Sequence, residues 1–150
     1  MCIRDSYGAT HIIDTSKEDW LEKVLEITEG KGVDVLIDML SGDYVNQNME
    51  ATKINGYLIN IGRLAGMSSN FDYDLHAKRR LHYIGTTGRT RSVDENVEVL
   101  RRTVKDLSGF VDSGEIKHVI HKVFKLEQAN EALNIMNENK HFGKLVLLTE

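Results

Sequence analysis

The chain has 150 residues, 41% hydrophobic and 28% charged, a balance that excludes disordered, fibrous and collagen-like classes and fits a folded domain. Its net charge of −4 and scattered Lys and Arg exclude the electrostatic footprint expected of a nucleic-acid or anionic-membrane binder. No apolar run reaches the roughly 20 residues that cross a bilayer and no secretory apolar region opens the chain, so the expected compartment is the cytoplasm; Cys2, the single cysteine, excludes a disulfide framework and a Cys-based metal site.

In chain order, "MCIRDS" reads as the translation of a sequencing adapter, and residues 1–6 are set aside as a scar. His11 to Thr15 is expected to form a strand. Ser16 is expected to cap a helix whose apolar stripe is Trp20, Val24 and Ile27, stopped at Gly30. "VDVLIDML" is almost continuously apolar, as for a central strand covered on both faces. Asp43 or Ser41 is expected to cap a second helix over Tyr44 to Ile54, and an Asn-Gly turn then leads into a third strand ending at Gly62. Arg63 to Asp74 reads as a loop and Leu81 to Thr87 as a fourth strand. Ser92 and Glu95 form a capping box for a long helix carrying Val93, Val97, Leu100, Val104, Leu107 and Val111, stopped by Gly114. A strand at Ile116 to Phe124, a short helix with Ala129, Ala132, Leu133 and Met136 on one face, and a strand in "GKLVLL" complete the chain.

Strands alternating with helices point to a parallel sheet, in which ligands lie outside the carboxyl ends of the strands. The turns Met39 to Gly42 and Ile61 to Arg63 are therefore expected to share one rim, with the Arg63 guanidinium available to an anion. Gly30 and Gly32 do not form a dinucleotide fingerprint, because "GKGVDV" closes a helix and enters a strand instead of the reverse. Arg89 and Arg91 precede a helix whose positive end disfavours cations; Asp94 and Glu95, or else a bound phosphate or a partner's carboxylate, would compensate. The six histidines show no metal-ligand spacing, and no catalytic acid, base or nucleophile stands out.

The stretches "YGATHIIDTSKEDW", "GKGVDVLIDMLSGD", "INGYLINIGRLAG", "KRRLHYIGTTGRTRSVDEN", "SGEIKHVIHKVFKLEQANEA" and "NKHFGKLVLL" resemble, in family order, the C-terminal half of a medium-chain dehydrogenase/reductase. The closest likeness is to the zinc-free quinone oxidoreductase branch related to zeta-crystallin, of the p53-inducible type. The resemblance implies an α/β fold: a partial doubly wound (Rossmann) parallel sheet lacking its first βαβ unit and its glycine-rich loop, over residues 7–114. It also implies that residues 115–150 return to a GroES-like domain not encoded here, leaving strand edges unpaired.

The implied activity is hydride transfer from NADPH to a quinone or an α,β-unsaturated carbonyl. The resemblance places Thr15 near the adenosine phosphate, Leu40 and Ser41 beside the nicotinamide ribose, Ile61, Gly62 and Arg63 at the nicotinamide, and Lys144 closing the site. Thr15 stands where the family frequently has tyrosine, so NADH stays open as the coenzyme. A homodimer through the strand Leu81 to Thr87 is implied for the full-length protein, with the isolated fragment inactive. Two alternatives are a zinc-dependent alcohol dehydrogenase with ligands upstream, and a receiver-like domain with Asp38 as phosphoacceptor. The receiver chemistry needs an acid pair and a strand-end lysine that the chain does not offer.

Overall fold

A computed structural model describes residues 8–138 and 141–149, so the expected scar at residues 1–6, with Cys2, lies outside the described residues. The chain divides into two units, Met1–Thr90 and Arg91–Glu150.

In the first unit, helix α1 (Trp20–Ile27) begins three residues after the expected start. Asp19 is the cap, its carboxylate accepting from the amides of Leu21 at 2.9 Å and Glu22 at 3.0 Å. Ser16 is not the cap because its hydroxyl donates to Asp14 Oδ1 at 2.6 Å, closing a local turn. That contact and the Lys17 ammonium hold the Asp14 carboxyl well below the usual carboxylate range, Lys17 being the larger cause. The strand expected at His11 to Thr15 is not formed: the described residues give this stretch no ladder partner, and without one a β-prone sequence is only extended chain.

Strands β1 (Val33–Asp38), β2 (Thr52–Asn60) and β3 (His82–Gly85) form a parallel sheet in that order. β1 is thus an edge strand among the described residues, not the central one its composition predicts. The expected turn at Asn55-Gly56 lies inside β2, where Asn55 takes φ +61° and the register jumps from Val33 opposite Thr52 to Val35 opposite Tyr57. From there the ladder is regular, Leu36 facing Leu58, Ile37 facing Ile59 and Asp38 facing Asn60.

The β1–β2 crossover is a 3₁₀ turn (Gly42–Tyr44) and helix α2 (Val45–Ala51). Neither Ser41 nor Asp43 caps it; the Asp43 carboxylate instead accepts from Ser69 Oγ at 2.9 Å. The helix stops before Ile54 because Thr52 already belongs to β2, its buried hydroxyl donating to Asn48 O at 2.7 Å. Between β2 and β3 lies helix α3 (Tyr73–Arg79), capped by Asp72 through the Leu75 amide; it takes over the last two residues of the expected loop and the stretch after it, for which no element is expected.

Met49, Leu58 and Leu81 form the buried centre, with Leu36, Phe71 and Leu75 packed around them on the helical side of the sheet. The other face is bare: Val35 is 51% and Ile37 62% exposed, so β1 is covered on one face only. On that bare side the rings of Tyr57 and His82 stack at 4.5 Å.

In the second unit, α4 (Val93–Asp112) is the longest described helix and carries the expected capping box. The Ser92 amide donates to Glu95 Oε2 at 2.7 Å and the Glu95 amide to Ser92 Oγ at 3.2 Å. The Ser92 backbone amide, then its side chain, and least of all the charge of Arg91 hold the Glu95 carboxyl below its ordinary value.

β4 (Ile120–Lys125) starts four residues later than expected and pairs in parallel with β5 (Lys144–Leu148). Their connection is a 3₁₀ turn (Leu126–Gln128) and α5 (Ala129–Asn137), and Phe124 and Ala132 are buried. The two strands satisfy each other along one edge, where unpaired edges had been expected on both.

Candidate functional site

β1 and β2 end at the same level because Asp38 and Asn60 are register partners, so their following turns meet at one rim. Asp38 is 3% exposed and serves the turn behind it: Oδ1 accepts from the amides of Leu40 and Ser41, each at 2.9 Å. Its backbone carbonyl accepts from the amides of Ile61 at 2.8 Å and Gly62 at 3.2 Å, which fastens the second turn to the first.

Ser41 joins the turns a second time. Its hydroxyl donates to Gly62 O at 2.7 Å and accepts from Asn60 Nδ2, whose other N–H donates to Gly62 O at 3.0 Å. The Ser41 backbone takes φ +57°, ψ −142°, a conformation that L residues leave mostly to glycine. Gly62 is required by the closeness of the strands: a Cβ there would lie 2.5 Å from Met39 O. Gly42, at φ +57°, has Ala65 O at 2.9 Å from the same imagined carbon.

The third strand joins the rim through Thr86, whose amide donates to Asn60 O at 2.9 Å, and through Arg63, whose Nη2 donates to Thr86 O at 3.3 Å. Arg63 is an exposed residue. A recess of about 170 Å³ opens beside the rim, lined among others by Ser41, Asn60, Arg63, Phe71 and Tyr83. That is comparable with cavities that hold a single aromatic ring. Partial burial raises the Tyr83 hydroxyl above its ordinary value, the negative charge of Asp38 adding to the effect and Arg63 opposing it.

Of the residues proposed from the sequence, Leu40, Ser41, Ile61, Gly62 and Arg63 are thus brought together. Thr15 sits in the exposed turn before α1 and takes no part in the rim's hydrogen bonds. Lys144 belongs to the second unit, where it opens β5 and its amide donates to Val119 O at 2.7 Å. Asn60 is a site residue that the sequence alone does not single out, and Asp38 is expected there only as a phosphoacceptor, not as the holder of a turn. Burial of Asp38, with Oδ1 committed to the Leu40 and Ser41 amides, speaks against the phosphoacceptor reading.

No helix among the described residues is long and apolar enough to cross a membrane, and no group of three or more His, Cys, Asp or Glu among them could hold a metal ion.

Residues 7–147 match the family model of the zinc-binding dehydrogenases. The chain is 27% identical over 151 residues to a quinone oxidoreductase-like protein 2 homolog of Nematostella vectensis, covering all of this chain and 41% of that protein. It is 33% identical over 148 residues to an NAD-dependent alcohol dehydrogenase of Sulfolobus acidocaldarius, covering 93% of this chain and 37% of the other. A crystal structure of a quinone oxidoreductase of Pseudomonas syringae pv. Tomato DC3000 shares the fold, with a TM-score of 0.78 at 23% identity over 96% of this chain and 44% of that one. The chain therefore spans about two fifths of the length of the proteins it matches.

Proposed function

Because the chain belongs to the zinc-binding dehydrogenase family, we propose that it forms the C-terminal part of a cytoplasmic oxidoreductase that passes a hydride from NADPH to a quinone or an α,β-unsaturated carbonyl. The observation that carries this reading is the tying of two strand tips into one open rim, Ser41 Oγ to Gly62 O at 2.7 Å, at the end of a parallel sheet where nucleotide ligands bind. When bound, a nicotinamide cofactor supplies the hydride; the chain's part is to hold and orient it. In this reading Leu40 and Ser41 flank the nicotinamide ribose, Ile61, Gly62 and Arg63 border the ring, Thr15 faces the adenosine phosphate, and Lys144 closes the site. NADH serves as coenzyme if Thr15 leaves the phosphate uncontacted.

The quinone oxidoreductase names among the relatives support the acceptor class. The open edge of β3 is proposed to pair with its counterpart in a second subunit. Coenzyme oxidation by the intact protein with quinones and enones as acceptors tests the reading. Consumption of neither NADPH nor NADH with any of them would refute it.

A second reading is favoured by the 33% identity to an NAD-dependent alcohol dehydrogenase. The described residues do not fit a zinc ion, so a zinc-dependent version would draw its ligands from elsewhere. Alcohol-dependent reduction of NAD that is abolished by a chelator distinguishes it.

A further inference from the structure

We infer that Asn60 is a positioning residue for the nicotinamide end of the cofactor, acting through Ser41 and Gly62. The inference rests on the function proposed above. Asn60 is 6% exposed, so its side chain has almost no surface to offer a ligand. Both its donors are spent inside the rim, on Ser41 Oγ and on Gly62 O, one contact on each strand tip.

The consequence lies in the backbone of Ser41. A serine at φ +57°, ψ −142° is strained, and such conformations persist only where the surroundings hold them. Among the contacts that do so, the Ser41 amide donates to Asp38 Oδ1, the hydroxyl donates to Gly62 O, and the hydroxyl accepts from Asn60. Asp38 closes the strand that leads into the Ser41 turn, and its Oδ1 serves that first turn, accepting from Leu40 and Ser41. Asn60 touches both turns. Without its amide, the Ser41 hydroxyl is free to turn to Asp38 Oδ2, 3.3 Å away, and abandon Gly62. The backbone bonds from Ile61 and Gly62 to Asp38 O, from Leu64 to Met39 O and from Ala65 to Leu40 O would remain, but the side-chain link that sets Ser41 against Gly62 would be lost.

A residue that merely stabilised the fold would weaken all ligands alike when removed. A residue that sets this rim would weaken only what the rim touches. The test is calorimetric, on the intact enzyme that carries these residues, with Asn60→Ala compared with wild type. Two ligands are titrated: NADPH, and adenosine bisphosphate, the half of NADPH that lacks the nicotinamide and its ribose. The expected result is an NADPH Kd weaker by about tenfold or more, the scale of one lost buried hydrogen-bond donor, with the bisphosphate Kd unchanged.

Equal weakening of both ligands, or of neither, overturns the inference. Asn60→Asp has the same shape but presents an acceptor where the donor was, and it repeats the comparison if the alanine variant does not fold. Wild-type protein that binds neither NADPH nor NADH refutes the proposed function itself, whereas wild-type binding matched by both variants refutes the role of Asn60 alone.

Discussion

Asp38 and Asn60 face each other at the last rung of the β1–β2 ladder, Asn60 Nδ2 standing 3.5 Å from Asp38 Oδ2, and between them they organise both strand-end turns. Asp38 accepts the amides of Leu40 and Ser41 in a buried setting. Asp38→Ala is therefore expected to strand two amides and lower unfolding free energy by about 1–3 kcal/mol, measured by chemical denaturation. Asp38→Asn keeps an acceptor oxygen but turns an NH₂ towards the Asn60 amide, so its loss should be smaller. An alanine variant as stable as wild type would show that the turn does not need this carboxylate.

Gly62 is held by contact rather than by backbone angle. A methyl group on it would sit 2.5 Å from Met39 O and 3.0 Å from Met39 Cα, and backbone cannot swing aside as a side chain can. Gly62→Ala should push the two tips apart at a cost of about 1–3 kcal/mol and weaken coenzyme binding in the intact protein. Thermal melting and a binding titration check it together; unchanged values in both would mean that the tips have slack.

The Ser92–Glu95 box makes the start of α4 pH-dependent. The Ser92 backbone amide, and secondarily its side chain, hold the Glu95 carboxyl below its ordinary value. A folded-state value below the unfolded one adds stability above the unfolded value, and that stability is lost as pH falls through the folded value. Protection against amide exchange at the first turn of α4, relative to the intrinsic rate at each pH, should therefore fall below about pH 4.5. Glu95→Gln, which keeps the acceptor and removes the titration, should abolish that dependence. The same acid-induced loss of protection in the glutamine variant would assign it to other groups.

Much of the rim could be read from the chain because paired strands here share a local text. "VLID" at Val35 to Asp38 and "YLIN" at Tyr57 to Asn60 lie rung against rung, each an apolar run closed by a polar residue at the strand tip. Strand ends and the turns after them were legible from that pattern. The inward direction of Asp38 and Asn60 was not, although the matching polar ends were its one available signal. Whether a terminal polar residue points to solvent or into a network depends on pairing register, which is a tertiary property.

The missed helix α3 has a similar cause. "DYDLHAKR" carries a cap at Asp72 but only one turn's worth of apolar residues, and its helix is held by Leu75 packing on the core. At His11 to Thr15 the error ran the other way, since apolar β-branched residues predict a strand that requires a neighbour to exist.

The edge of β3 provides the last expectation. The Thr86 amide donates inward to Asn60 O, and alternate residues of a strand point their peptide groups to opposite edges, so the Gly85 amide faces away from β2. A Cβ at Gly85 meets nothing within 4 Å, which leaves room for a larger residue. Gly85→Pro would remove that outward donor and set a ring on the free edge without touching the β2–β3 ladder. If two subunits of the intact protein join through this edge, the variant should sediment as a monomer while its melting temperature, extrapolated to low concentration, stays near that of wild type. A dimer undiminished by the proline would place the subunit contact elsewhere on the molecule.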